Sequence, residues 1–322
     1  MIEISHLVKT YGKHKAVDDL TLTVEPGKIY GFLGPNGAGK STTMNILTGY
    51  IGATSGEVKI NGHDIFKEAE EAKKCIGYLP EMPPLYEDMT VGEYLAFAAE
   101  LKGLDKDLQE DFVDEAMELT KITDKQDRLI RNLSKGYKQR VGMAQAVLGY
   151  PEIIILDEPT VGLDPKQIIE IRDLIRRLGE KHTVILSSHI LSEVKEVCDY
   201  IFIISQGKLV ASDTTENLLQ QTNGQQTIEL VTDEEEAPYV ETLEKLDGVA
   251  SVETRGEEGQ DKTITITAKE NTDIRKRVFK ALAANNLPIL EMRSTSRTLE
   301  DIFLELTTEA ESGKEAKHDR DI

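Results

Sequence analysis

Short, unbroken apolar runs recur in the first two thirds of the chain, at 29–33, 153–156, 183–186 and 201–204. Strands covered on both faces read this way, without the alternation of half-exposed ones. Between the runs, apolar positions shift to helical spacing. After Asp164-Pro165, a capping residue with proline in the first turn, Ile168, Ile171, Ile175 and Leu178 keep one face as far as Gly179. A more acidic segment at about 91–120, with Tyr94, Leu95 and Phe97 near its start, reads as a helical insert. The alternation of strand and helix signals predicts one α/β unit over 1–218, with a helical subdomain at about 85–150.

The pattern then changes. Residues 219–226 read as a linker, polar from Gln220 to Gln226 and containing the turn dipeptide Asn223-Gly224. Beyond them Thr263-Ile264-Thr265-Ile266-Thr267 alternates strictly, as a half-buried strand does. Ile274, Val278 and Leu282 recur every fourth residue, and Leu299, Ile302, Phe303 and Leu306 mark a last amphipathic helix. The order over 227–308 is strand, helix, strand, strand, helix, strand, helix, which predicts a small α+β domain of ferredoxin-like type. The charged tail, 309–322, has almost no large apolar residues and is expected to be disordered.

Composition narrows the function classes. The 322 residues are 39% hydrophobic and 30% charged, as in soluble globular proteins, and no apolar run approaches membrane-spanning length. The first residues, Met1-Ile2-Glu3-Ile4-Ser5, carry no secretory signal. Cys75 and Cys198 make no disulfide framework and have no metal-ligand company. A net charge of −20 argues against general nucleic-acid binding, which needs basic patches. Nucleotide binding stays open, because one lysine, a metal and backbone amides suffice for it.

The segment Gly34-Pro35-Asn36-Gly37-Ala38-Gly39-Lys40-Ser41-Thr42 supplies those groups. It lies between a strand-like run and a helix-like segment through Leu47, the setting in which G-x-x-x-x-G-K-[ST] signifies phosphate binding. Glycines let the backbone turn its N–H groups onto phosphate oxygens beside a positive helix N-terminus. Lys40 is expected to reach the β- and γ-phosphates and Ser41 to ligate Mg²⁺, with Thr42 one position into the helix. A second strand, Ile153-Ile154-Ile155-Leu156, ends in Asp157-Glu158-Pro159. Its carboxyl end places two acids beside the phosphate loop, Asp157 for the Mg²⁺ shell and Glu158 to polarise an attacking water.

Upstream of that strand, Leu133-Ser134-Lys135-Gly136-Tyr137 opens another helix. With it the chain resembles the ATP-binding cassette (ABC) family, whose signature is Leu-Ser-Gly-Gly-Gln. Lys135 and Tyr137 depart from that signature; Ser134 and Gly136 keep it. The resemblance implies that Ser134 and Gly136 cap an ATP held by a second subunit, where the added cation of Lys135 is expected to favour phosphate. It also implies that the turn Gly162-Leu163-Asp164-Pro165 senses the partner's site, that His189 after Ser187-Ser188 contacts the γ-phosphate, and that Tyr11 stacks on adenine. Where the family usually has glutamine, this chain has Glu81 in Gly77-Tyr78-Leu79-Pro80-Glu81, and Glu81 is then a third candidate metal ligand. Three carboxylates beside a triphosphate exceed what one divalent cation offsets, so Glu81 must stand off or hold a proton.

The expected protein is the ATPase subunit of a transporter, binding ATP and Mg²⁺. It would act as a homodimer or pseudo-dimer at the cytoplasmic face of a bacterial membrane and drive a permease on separate chains. The end of the chain, Arg297-Thr298-Leu299-Glu300-Asp301-Ile302-Phe303, resembles the extra C-terminal domain of multidrug, nodulation-factor and gliding-type exporters. One alternative is a soluble cassette ATPase acting on ribosomes or DNA. Such proteins usually carry two cassettes or long heptad insertions, and here Lys40 and Leu133 are 93 positions apart with no heptad repeat. A P-loop kinase or GTPase is the other; it would leave the signature unexplained, and the guanine motif Asn-Lys-x-Asp is absent.

Overall fold

A computed structural model describes residues 1–222, 226–255, 262–269, 272–296 and 303. Two N-terminal strands, β1 (Ile2–Tyr11) and β2 (His14–Val24), pair antiparallel ahead of the first fully buried strand, β3 (Ile29–Leu33). The phosphate-loop segment leads from β3 into α1 (Lys40–Leu47). Then β4 (Ser55–Ile60) and β5 (His63–Asp64) complete an antiparallel sheet ordered β2-β1-β4-β5. Bulges hide this sheet from a period-two reading. The β1–β2 register shifts between Ile4 and Leu7 and again before Lys9, with His6 at φ 50° and Asp19 at φ 60°. Each shift changes which neighbours face inward, so Ile2, Ile4 and Leu7 are all buried despite their uneven spacing.

The chain continues through α2 (Ala69–Lys74), β6 (Ile76–Leu79), α3 (Val91–Leu101), α4 (Gln109–Thr120) and α5 (Lys135–Val147). The insert expected over 91–120 is therefore two helices. Lys102-Gly103 ends the first, with Gly103 at φ 68° and its N–H donating to Glu100 O at 2.9 Å. Next come β7 (Ile153–Leu156), α6 (Pro165–Gly179), β8 (Thr183–Ser188), α7 (Leu191–Val197), β9 (Tyr200–Ser205) and β10 (Lys208–Thr214). Asp164 caps α6, its carboxylate accepting from Gln167 N at 2.9 Å. Ile171, Ile175 and Leu178 are buried as their spacing predicts, joined by Leu174, while Ile168 is half-buried.

The unbroken apolar runs assemble one six-stranded sheet, ordered β10-β9-β3-β8-β7-β6. Its five strands β9, β3, β8, β7 and β6 are parallel, and β10 returns antiparallel. Strands β3, β8 and β7 are neighbours, so their carboxyl ends lie together. Those ends carry the phosphate loop, Ser187-Ser188-His189 and Asp157-Glu158, and in open parallel sheets this edge is where ligands bind.

The described residues divide into two compact units, Met1–Thr215 and Glu216 onward. Helix α8 (Thr215–Thr222) runs into the stretch read as linker. Glutamine and glutamate are good helix formers, so polarity alone did not make a loop of it. The second unit continues with β11 (Gln226–Thr232), α9 (Ala237–Glu244), β12 (Val249–Arg255), β13 (Lys262–Ala268), α10 (Arg275–Ala284) and β14 (Glu291–Ser296). Its antiparallel sheet is ordered β12-β13-β11-β14, the ferredoxin-like arrangement. Ile264 and Ile266 of the alternating strand pack with Ile274, Val278 and Leu282 in a core of its own. Glu234 and Glu235 lie exposed in the turn before α9. Of the expected last helix only Phe303 is described, and it is helical; the tail 309–322 lies outside the described residues.

Candidate active site

A cavity of about 430 Å³ opens at the carboxyl edge of the parallel sheet. Asn36, Gly37, Gly39, Lys40, Ser41 and Thr42 form one wall, and Tyr11, Glu81, Glu158 and His189 contribute from other elements. Gly39 caps α1 at φ 103°, and a Cβ there would lie 2.3 Å from the Ala16 carbonyl oxygen. Only glycine closes this loop against β2. The first-turn amides of α1 have no acceptor within the helix, so they offer an anion both dipole and donors.

Lys40 is buried, 5% exposed, and its ammonium donates to Gly34 O at 2.7 Å and Pro35 O at 3.2 Å. It also pairs with Glu158 Oε1 at 3.3 Å. Glu158 in turn meets His189 Nδ1 through Oε2 at 2.9 Å. The backbone of Glu158 is left-handed, φ 47°, a conformation that costs a non-glycine residue about 1–2 kcal/mol. Its N–H donates to Ser187 Oγ at 2.8 Å, and its carbonyl accepts from Val161 N at 3.2 Å. This strained turn swings the carboxylate off the line of β7 and into the cavity, beside the lysine and the histidine.

Asp157 lies deeper, 3% exposed. Ser187 Oγ donates to its Oδ1 at 2.5 Å and Ser41 Oγ at 3.2 Å. Burial raises its pKa above the ordinary aspartate value, while the two hydroxyl donors and Lys40 pull it down. Ser41 and Asp157 thus present hard oxygens to one spot, the chemistry that suits Mg²⁺. Among the described residues no three His, Cys, Asp or Glu side chains cluster to hold a metal, so phosphate and water oxygens would complete its shell. Glu81 is exposed at the cavity and forms no third member of such a cluster.

Ser134, Lys135, Gly136 and Asp164 do not line this cavity. Ser134 is exposed and caps α5, its Oγ accepting from Tyr137 N at 3.5 Å. A Cβ on Gly136 would lie 2.6 Å from the Gln167 side chain, and one on Gly162 would lie 2.2 Å from Lys135 Nζ. The starts of α5 and α6 are therefore packed face to face, with Lys135 over the Gly162 turn. Tyr137 holds its ring under Lys125 Nζ, 5.0 Å from the centroid. Tyr11 is half exposed, with Lys9 Nζ 5.1 Å from its ring centroid. Sequence reasoning missed His14 and Val161, which also line the cavity, and the role of Ser187 in joining Asp157 to the Glu158 backbone. His14 and Val161 belong to no motif, and although Ser187 lies near His189 in the sequence, only the fold brings it to Asp157 and Glu158.

Comparison with known proteins bears on the family and the fold. Residues 17–161 match the family model described as ABC transporter, and residues 215–307 match the C-terminal domain of DrrA1-3-like ATP-binding proteins. The bacitracin transport ATP-binding protein BcrA of Bacillus licheniformis is 43% identical over 212 residues, 65% of this chain and 68% of that protein. The linearmycin resistance ATP-binding protein LnrL of Bacillus subtilis (strain 168) is 32% identical over 308 residues, 95% of this chain and 98% of that one. A solved ATP-binding subunit of an ABC transporter superposes with a TM-score of 0.63 at 31% identity, covering 69% of this chain and 92% of that chain. A dimeric cassette in a post-hydrolysis state with ADP and Pi superposes at 0.61 with 25% identity, covering 67% and 99%. The chain belongs to the ABC transporter family, as an ATP-binding subunit that hydrolyses ATP.

Proposed function

We propose that two copies of this chain, or this chain and a related subunit, close around ATP and so drive a membrane permease carried on separate chains. The observation that carries the reading is the division of the motif residues. The phosphate loop, Glu158 and His189 share one cavity, whereas Ser134, Lys135, Gly136 and Asp164 sit outside it on the packed starts of α5 and α6. A cap for the γ-phosphate must then come from another subunit. ATP supplies binding energy that favours the closed dimer, and hydrolysis withdraws it.

Within the cavity Lys40 exchanges its contact with Glu158 for phosphate oxygens, which frees the carboxylate to accept a proton from water. His189 holds that carboxylate in position and offers a polar contact to the terminal phosphate. Tyr11 supplies a face for the adenine ring. Ser41 and Asp157 would hold Mg²⁺, which would offset the charge of the phosphates. Glu81 remains the outermost candidate ligand.

No helix among the described residues is long and apolar enough to cross a membrane. A second cavity of about 490 Å³, lined by Tyr50, Tyr78, Pro80, Met82 and Pro84, is the dock for a permease segment; Met82 is 84% exposed there. Relatives named for bacitracin transport and linearmycin resistance support export as the direction and the cytoplasmic face of a bacterial membrane as the location.

The test is Glu158→Gln, which keeps the shape of the side chain and removes the base. Turnover should fall about 10²–10⁴-fold, and saturating Mg²⁺-ATP should convert the variant to a dimer by light scattering. Persistent monomer at saturating nucleotide would overturn the proposal.

A further inference from the structure

A buried carboxylate of the first unit stands outside this chemistry. Glu193, in the first turn of α7, is 6% exposed. Thr160 Oγ1 donates to its Oε2 at 2.5 Å, and Ser188 Oγ donates to the same oxygen at 3.3 Å. Both hydroxyls are buried as well, Thr160 at 5% and Ser188 at 1% exposure. Three polar side chains sequestered from water satisfy one another at a single acceptor, so each depends on the others for its place.

The attachments of the two donors matter most. Ser188 immediately precedes His189, and its carbonyl accepts from Gly34 N of the phosphate loop at 3.4 Å. Its hydroxyl also accepts from Ile190 N at 3.0 Å, fixing the turn on the far side of the histidine. Thr160 lies two residues beyond Glu158, and its carbonyl accepts from Leu163 N at 3.2 Å, inside the turn that ends at Asp164. One carboxylate oxygen therefore ties the strand end bearing His189 to the segment that runs from Glu158 to the Gly162–Asp164 turn. It does so without touching the nucleotide cavity, which Glu193 does not line.

We infer that Glu193 is a positioning residue that makes His189 and the 160–164 turn move as one, so that occupancy of the cavity is passed to the face presented to the second subunit. The inference rests on the ATP-closed dimer proposed above. It deepens that reading by naming the link between the phosphate contact and the partner-facing turn. A carboxylate suits the role because it only accepts, and can take both hydroxyl protons at once. Hydroxyls at 160 and 188 suit it because each also serves, or neighbours, the backbone turn it must carry.

Thr160→Val is the sharpest variant, since it keeps the shape and deletes only the donor; Thr160→Ser restores the donor. Glu193→Gln and Glu193→Leu grade the acceptor. Each is measured for Tm, for ATP binding, and for the kcat and Hill coefficient of the ATPase. Thr160→Val and Glu193→Leu should lower kcat at least about tenfold and bring the Hill coefficient toward 1, with ATP affinity within about twofold of the parent. Thr160→Ser should return kcat to near the parent, and the double variant Thr160→Val/Glu193→Leu should be no worse than the poorer single one, as members of one link must be. In the Glu158→Gln background, Thr160→Val should raise the ATP concentration needed for dimerisation about tenfold. If Glu158→Gln alone stays monomeric, the dimer reading falls. If it dimerises and Thr160→Val leaves both the ATP dependence and kcat unchanged, or Thr160→Ser fails to rescue, the link through Glu193 is overturned. A kcat loss that tracks Tm and vanishes when scaled to the folded fraction overturns it too.

Discussion

At Asp157, burial raises the carboxyl pKa against the pull of two hydroxyls and a lysine. The fold thus holds this proton more tightly than the unfolded chain does. The stability gained is present at low pH and is lost as pH rises through the folded value. An ionised Asp157 is a buried anion, and Lys40, the cation that pulls its pKa down, is shared with Glu158. Asp157→Asn removes that charge and keeps an oxygen for Ser187 and Ser41. Its Tm should exceed the parent's at pH 7, the gap should close as pH falls toward 4, and turnover should be lost throughout. A gap that ignores pH would show that the charge is not what costs stability. The motif residues were legible in the sequence because phosphate chemistry constrains them as a string, from Gly34 to Thr42. The left-handed backbone of Glu158 was not, because nothing in Leu156-Asp157-Glu158-Pro159 departs from an ordinary strand end. That geometry is held by Ser187, 29 residues away.

Among elements, those held by their own sequence were easiest to read. Helix α6 announced itself by its cap, its proline and its stripe, and β13 by strict alternation. The sheet of β1, β2 and β4 did not, because its bulges break the period that a local reading needs. Helix α3 carries a signal that sequence alone held in plain form. Thr90 accepts from Glu93 N at 3.2 Å, and the Glu93 carboxylate takes the Thr90 N–H at 2.8 Å, a reciprocal capping box. These hydrogen bonds hold the Glu93 carboxyl below its usual range. Thr90→Ala should destabilise the first unit by about 1 kcal/mol, roughly 2–4 °C in Tm for a unit of this size. Thr90→Ser should stay within experimental error of the parent. Equal losses for both would mean that the methyl group, not the cap, is what the site uses.

For the molecule as a whole, the two units have separate cores. One joins Phe32, Met44, Ile155 and Phe202 across the nucleotide-binding unit, and the other gathers Ile228, Tyr239, Ile266 and Leu282. The two cores share no sheet, so thermal unfolding should show two transitions rather than one. A replacement inside the smaller core, Ile266→Ala, removes a fully buried side chain and should cost about 2–5 kcal/mol. It therefore identifies the transition that belongs to the second unit. ATP acts on the other. A ligand that binds only the folded form adds RT ln(1 + [L]/Kd), about 2.7 kcal/mol at a hundredfold excess over Kd, or roughly 5–10 °C for the first unit. In Glu158→Gln, where nucleotide persists, calorimetry with Mg²⁺-ATP should raise the first transition by that amount and leave the one lowered by Ile266→Ala where it was. Were both to rise together, the C-terminal unit would share the free energy of nucleotide binding, and its role would be to take part in closure rather than to ride alongside it.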